Sequence, residues 1–231
     1  MAQKNPKHVA IILDGNRRYA KRQGLNPWHG HKFGVEKVKK ILGWSQDLGI
    51  KELTLYSFSI DNFNRSEKEK KFLFNLFKQY IKELKNDESL NKKGIRINYI
   101  GRLDMFPKDI QKEMHHIMEK TRKNKKFKVN FAMAYSGRAE ITDALKKIIH
   151  NFKNKKISKI DEKLINDNLY LSSTPDILIR PGGEKRISDF LLWQSAYTEL
   201  IFLDKLWPEF SKEDLIDCIE EFKRRERRFG R

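Results

Sequence analysis

The sequence predicts an α/β fold in which a mainly parallel six-stranded sheet carries helices on its faces. Six short runs rich in apolar and β-branched residues recur along the chain, and amphipathic helical patterns separate most of them. No Pro/Gly/Ser-rich stretch divides the 231 residues, so residues 1–231 read as one domain with a substantial core. Alternating strands and helices favour parallel pairing, and open parallel sheets bind ligands beyond the carboxyl ends of their strands.

The first strand is expected over residues 8–13, where Val9-Ala10-Ile11-Ile12-Leu13 ends abruptly in Asp14-Gly15-Asn16-Arg17-Arg18. That junction brings a carboxylate, a glycine and two arginines to one point. The grouping suits a Mg2+-bound phosphorylated substrate, because the acid holds the metal and the guanidiniums hold phosphoryl oxygens. A solvated turn after a first strand has the same composition. A helix follows over 32–48, with Phe33, Val35, Val38, Ile41, Leu42 and Leu48 near helical spacing, then a strand over 53–58. The pattern Phe72, Leu73, Leu76, Phe77, Tyr80, Ile81 and Leu84 makes 67–84 amphipathic.

Strands are further expected over 95–100, 129–134, 176–179 and 199–203, and helices over 108–121, 138–151, 161–168 and 188–196. The last helix, 212–225, starts at Ser211 as N-cap with Asp214 three residues on. The lone Cys218 permits no intramolecular disulfide and falls in that amphipathic segment, which makes it a packed thiol and fits a reducing cytoplasm.

Lys and Arg total 49 against 31 Asp and Glu, a net charge of +18, so polyanions are plausible partners: small phosphorylated substrates, anionic membrane or nucleic acid. No metal-binding cysteine pattern, ribonucleoprotein motif or basic heptad helix accompanies the charge, which argues against nucleic acid. The lysine-rich stretches 123–128 and 153–159 read as solvated surface. Apolar runs are too short for a membrane span, leaving peripheral membrane contact as the remaining form of association. A G-x-G-x-x-G fingerprint and a Walker lysine loop are absent, so neither a dinucleotide nor a nucleoside triphosphate is favoured.

Four polar clusters interrupt the apolar patterns: residues 14–18, 29–31, 57–65 and 180–188. The fourth, Arg180-Pro181-Gly182-Gly183-Glu184-Lys185-Arg186-Ile187-Ser188, lets the backbone turn sharply while two arginines and a serine converge on one diphosphate; it also suits a plain turn ending in an N-cap. In their order and spacing these clusters resemble the cis-prenyltransferases. The matching segments are HVAIILDGNRRYA from His8, GHK from Gly30, SFSIDNFNR from Ser57, RPGGEKRISDFLLWQ from Arg180, ELIF from Glu199 and RRFG near the C-terminus.

The resemblance implies a sheet with helices around an elongated apolar tunnel. It also implies repeated addition of isopentenyl diphosphate to an allylic diphosphate, farnesyl or geranylgeranyl, with Mg2+ as cofactor and each new double bond cis. Asp14 and Asn62 become the catalytic candidates and Asp14 and Glu199 the metal ligands. Gly15, Asn16, Arg17 and Arg18 fall to the allylic diphosphate, and Arg180, Arg186 and Ser188 to isopentenyl diphosphate. His31, Ser59 and Arg65 match the remaining polar positions. Tunnel walls are expected to include Phe72, Leu76, Phe77, Phe131 and Met133.

Arg228 and Gly230 match an Arg-x-Gly ending that, in the family, completes the partner's site, implying a homodimer. This chain departs from the usual pattern in having Arg17 after Asn16, Pro27 where an arginine is frequent, and Pro181 for threonine. Arg17 is the expected substitute for the arginine missing at Pro27. A non-catalytic subunit would be expected to lack Asp14 and its neighbours; this chain keeps them.

Overall fold

The structure, a computed structural model, describes residues 5–153 and 159–225. Its sheet contains β1 (His8–Ile12), β2 (Glu52–Ser59), β3 (Ile95–Ile100), β4 (Phe127–Tyr135), β5 (Ile177–Pro181) and β6 (Glu199–Leu203), in the order β3-β4-β2-β1-β5-β6. Every pairing is parallel. Successive strands step outward from β1 in one direction as far as β4 and β3, whereas β5 and β6 lie on its other side. The order therefore reverses between β1 and β5, and a crevice opens beyond their carboxyl ends.

Both faces of the sheet are covered, which is why β1 and β5 are wholly buried and, His8 and Arg180 apart, apolar. Val9, Ile11, Leu53, Leu55 and Ile179 face a large core completed by α2 (Gly30–Asp47), α3 (Glu67–Asn86), α5 (Lys108–Thr121) and α8 (Lys212–Arg224). Ala10, Ile12, Ala132 and Leu178 face a smaller core with Tyr135, Leu171, Phe190 and Leu191. The remaining helices are α1 (Asn16–Arg22), α4 (Ser89–Lys92), α6 (Gly137–Lys153) and α7 (Glu162–Asn168). Asp161 and Ser211 cap α7 and α8 as their side chains accept from Leu164 N–H and Asp214 N–H. Cys218 is buried and free, and burial pushes its thiol up to about 12. Among the described residues no helix is long and apolar enough to cross a membrane.

The expected helix over 188–196 does not form. Ser188, Asp189 and Leu191 take left-handed φ values of 48°, 62° and 49°. Tertiary hydrogen bonds replace helical ones: Ser136 Oγ donates to the Asp189 carboxylate, and Gln194 Nε2 donates to Glu140 Oε1 at 3.1 Å and to the Leu171 carbonyl at 2.7 Å. The apolar spacing that suggested a helix serves packing, since Phe190 stacks on Tyr56 at 4.5 Å. Helix α1 forms where none was expected: its seven residues are too few to show periodicity, and the first three lie within the first polar cluster.

His8 is buried, with Nε2 2.8 Å from Thr54 Oγ1. Burial pushes its pKa below the ordinary 6.5, so the unfolded chain takes up a proton more readily than the folded one. The stability associated with neutral His8 is thus fully present above about pH 6.5 and is lost as pH falls through that value toward the folded pKa. Urea midpoints measured from about pH 7 to about pH 5 should fall for the parent protein and fall less steeply for His8→Gln.

Candidate active site

Asp14 follows β1 at the switch point, its backbone fixed by N–H donation to Ile12 O at 2.9 Å and by Trp207 N–H donating to Asp14 O at 2.9 Å. Gly15 then turns the chain into α1 with φ of 102°, where a Cβ would come within 2.9 Å of Leu206. The first residue of α1, Asn16, is buried against α2. Nδ2 donates to Leu13 O at 3.0 Å, while Oδ1 faces no donor among the described residues. Gly34 makes this approach possible, because a Cβ there would stand 2.3 Å from Asn16 Oδ1.

The Asp14 carboxylate lies between two guanidiniums, one for each oxygen. Arg180 Nη2 is 2.9 Å from Oδ2 and Arg18 Nη2 is 3.2 Å from Oδ1. Arg180 is itself buried: Nη1 donates to Ser188 Oγ at 2.7 Å and to the Arg186 carbonyl at 2.5 Å. Arg18 Nη1 donates to Gly182 O at 2.6 Å. Residues 166 positions apart are thereby joined across the ends of β1 and β5. Gly182 has φ of 105°, and a Cβ there would sit 2.7 Å from Arg18 Nη2. Gly182→Ala should cost about 1–2 kcal/mol of stability from the left-handed backbone alone and displace Arg18, read as a lower Tm.

A second cluster forms beyond β2. A bulge between Tyr56 and Ser59 breaks the register with β4 and re-aims the strand end. Ser59 N–H donates to Asn62 Oδ1 at 3.2 Å, so the Asn62 side chain closes the turn Ile60–Asn64. Arg65 Nη1 donates to His31 Nε2 at 3.2 Å and to Glu69 Oε1 at 2.9 Å. Burial above all holds the His31 pKa below its usual value, so Nε2 is an acceptor at neutral pH and Nδ1 carries the proton. Arg17 reaches the same carboxylate at 3.7 Å.

Glu69 was not among the expected site residues. Its signal in the sequence is a carboxylate four positions before Leu73, on the apolar face of an amphipathic helix and four after Arg65.

Between these clusters opens a cavity of about 1100 Å3, its open mouth included. Asp14, Asn16, His31, Ser59, Asn62 and Arg65 line it from the loops past the strand ends. Strand interiors and α2 and α3 supply an apolar wall that includes Leu76, Phe77, Phe131 and Met133, four of the five expected wall residues. Phe72 lies off this lining, packed against His29 at 5.5 Å.

Two expectations, Arg186 and Glu199, part from this arrangement. Arg186 brings its carbonyl to Arg180, whereas its guanidinium is exposed and paired with Glu184 at 2.6 Å. Glu199 does not join Asp14 within one chain: it starts β6 in register with Ile177, at the amino end of the sheet, and pairs with Arg225 at 3.0 Å. Arg228 and Gly230 lie outside the described residues. Among the described residues no group of three or more His, Cys, Asp or Glu side chains could hold a metal. A single carboxylate between two arginines still fits Mg2+, which is held by one or two carboxylates together with substrate phosphates and water.

A family model described as putative undecaprenyl diphosphate synthase matches residues 12–230. A relative from Thermococcus kodakarensis, named tritrans,polycis-undecaprenyl-diphosphate synthase (geranylgeranyl-diphosphate specific), is 48% identical over 98% of this chain and 87% of its own length. One from Methanocaldococcus jannaschii with the same name is 44% identical over 98% and 83%. Among solved structures, lavandulyl diphosphate synthase from Lavandula x intermedia, in complex with dimethylallyl diphosphate, superposes with a TM-score of 0.92 at 34% identity, covering 98% of this chain and 99% of that one. A probable undecaprenyl diphosphate synthase from Campylobacter jejuni gives 0.83 at 31%, covering 99% and 100%. With its switch-point carboxylate between two arginines and a match of that extent, the chain belongs to the undecaprenyl diphosphate synthase family of cis-prenyltransferases.

Proposed function

We propose that the protein elongates an allylic diphosphate by repeated cis addition of isopentenyl diphosphate, with geranylgeranyl diphosphate as primer and a chain of about eleven units, a lipid-carrier precursor, as product. The observation that carries this reading is the Asp14 carboxylate held between Arg18 and Arg180 at the polar end of an apolar-walled cavity. The names of the Thermococcus and Methanocaldococcus relatives support the primer and the length.

In this reading the allylic diphosphate lies against Gly15, Asn16, Arg17 and Arg18 with its hydrocarbon in the cavity. Isopentenyl diphosphate takes Arg180, Ser188 and Arg186, whose guanidinium swings in from its exposed pair with Glu184. Cleavage of the allylic C–O bond leaves a carbocation and a diphosphate; the isopentenyl double bond attacks the cation, and loss of a proton forms the new double bond. The arginines stabilise the departing charge while apolar walls keep water from the cation. Asp14 would hold Mg2+, which would supply Lewis-acid neutralisation of the leaving diphosphate.

A homodimer is part of the proposal. Leu145, Ile149 and Phe152 form an exposed stripe on α6, and β6 is an edge strand; both suit burial against a second copy. Glu199 would then serve a metal only across that contact. A monomeric mass with full activity would overturn the dimer. The basic surface supports salt-sensitive docking on anionic lipid, each lysine near the headgroups contributing about 1 kcal/mol. Flotation with vesicles that ignores anionic lipid content and salt removes that part.

The test is incubation of purified protein with geranylgeranyl or farnesyl diphosphate, labelled isopentenyl diphosphate and Mg2+ or chelator, with chromatography of the extracted lipids. Long cis products that vanish with chelator are expected. No product from either primer would mark a non-catalytic subunit. Arg17→Ala should raise the Michaelis constant for the allylic substrate; an unchanged constant and turnover would remove Arg17 as the substitute for an arginine at position 27.

A further inference from the structure

Backbone strain in this chain gathers at one junction. Among the described residues four non-glycine positions take left-handed φ values: Ser188, Asp189 and Leu191 on the segment after β5, and Ala134 near the end of β4. Such conformations cost energy and persist only where the contacts around them over-determine the backbone, which is why they cluster at binding and catalytic sites. The two strained stretches meet. Ser136, two residues past Ala134, precedes α6; its Oγ accepts from Ala139 N–H at 3.2 Å and donates to one oxygen of the Asp189 carboxylate. The other oxygen accepts from Arg138 N–H at 3.1 Å, and the Asp189 carbonyl accepts from Gly137 N–H at 2.7 Å. A Cβ at Gly137 would stand 2.9 Å from that carbonyl oxygen, so glycine there lets the two backbones approach. Placed at the first turn of the 17-residue helix α6, the carboxylate is also favoured by the helix dipole.

The residue just before this clamp holds the buried arginine. Ser188 Oγ and the Arg186 carbonyl accept from Arg180 Nη1 at 2.7 and 2.5 Å, while Nη2 meets Asp14 at 2.9 Å. Arg180 Nε has no partner among the described residues. The direction of the guanidinium is therefore set on one side by Asp14 and on the other by the path of residues 186–188. That path carries a left-handed serine with no glycine to relieve it, and its next residue is the one pinned to α6.

We propose that Asp189 is a positioning residue for the isopentenyl diphosphate half of the site: by holding its segment against the amino end of α6, it fixes Ser188 Oγ and, through it, the Arg180 guanidinium in the direction that receives a diphosphate. This rests on the elongation reading above, in which Arg180 and Ser188 take that substrate. The Asp189 carboxylate is taken up by Ser136 and Arg138, so it acts through Ser188 and not on the substrate.

The test compares Michaelis constants for both substrates, turnover and Tm in the parent, Asp189→Ala, Asp189→Asn, Asp189→Gly and Ser136→Ala. Asp189→Ala is expected to raise the constant for isopentenyl diphosphate about 10- to 100-fold, the scale of a binding group displaced by about 1 Å, with the constant for the allylic diphosphate nearly unchanged. Asp189→Asn keeps an oxygen for Arg138 N–H and tolerates the left-handed backbone, so it should recover most of the loss. Ser136→Ala removes one bond of the clamp and should fall between; it carries the same comparison if Asp189→Ala does not fold. Asp189→Gly takes the left-handed backbone without strain but has no carboxylate, and should behave as Asp189→Ala. Parent constants in Asp189→Gly or in Asp189→Ala would overturn the proposal, as would an equal rise for both substrates, which marks a general loosening of the fold. Failure of the elongation reading is distinct: the parent protein would then transfer no isoprenyl unit at all.

Discussion

Asp14→Ala is expected to lower turnover by about a thousandfold, within the range that removal of one preorganised group at a developing charge produces. The Michaelis constant for isopentenyl diphosphate should change little, because Arg180 keeps its hydrogen bonds to Ser188 and to the Arg186 carbonyl and loses only a competing anion. The same change should destabilise the free protein by about 1–3 kcal/mol, since the Arg180 guanidinium is buried and its nearest counter-charge is gone. A diphosphate replaces that charge. Inorganic pyrophosphate should therefore raise Tm more in Asp14→Ala than in the parent, by preferential binding to the folded state. Thermal melts with and without pyrophosphate, beside single-turnover rates, separate the two roles. Full turnover in the variant would reduce Asp14 to a counterion for the arginines.

The six strands were legible because a parallel sheet covered on both faces favours short runs rich in apolar and β-branched residues. The start of the last helix at Ser211 was legible from local capping chemistry. Residues 188–196 misled for a physical reason: Phe190 and Leu191 are spaced by the surface they fill, and Asp189 and Gln194 answer to Ser136 and Glu140, 53 and 54 positions away. The polar clusters were visible as interruptions, yet no sequence spacing shows that Arg18 and Arg180 meet on one carboxylate, which follows from the reversal of strand order beside β1. Glu199 shows the converse, since a motif position alone does not say at which end of its strand a residue works.

Glu69→Ala should have the next largest effect, in stability as well as activity. Its carboxylate is 3% exposed and faces Arg65 at 2.9 Å, Arg17 at 3.7 Å and His31 at 3.8 Å. Removing it leaves two guanidiniums adjacent with no anion between them. Arg65 and Arg17 retain partial access to water, so the loss should be about 2–3 kcal/mol, below that for a fully buried pair. Turnover should fall about 10- to 100-fold, the scale of a misplaced binding group, because Arg65 and His31 both line the cavity and both take their orientation from this carboxylate. Glu69→Gln keeps an oxygen for Arg65 and should fall between. His31 and the two arginines hold the Glu69 carboxyl below its ordinary 4.5. Its stabilising effect is consequently complete above about pH 4.5 and is lost as pH falls through the lower folded value. Acid unfolding of Glu69→Gln should lose that part of the slope and keep the part above it that His8 and His31 supply. If a double-mutant cycle with Arg65→Ala gave a coupling energy within about 0.5 kcal/mol of zero, the carboxylate would be filling space and not ordering the cluster.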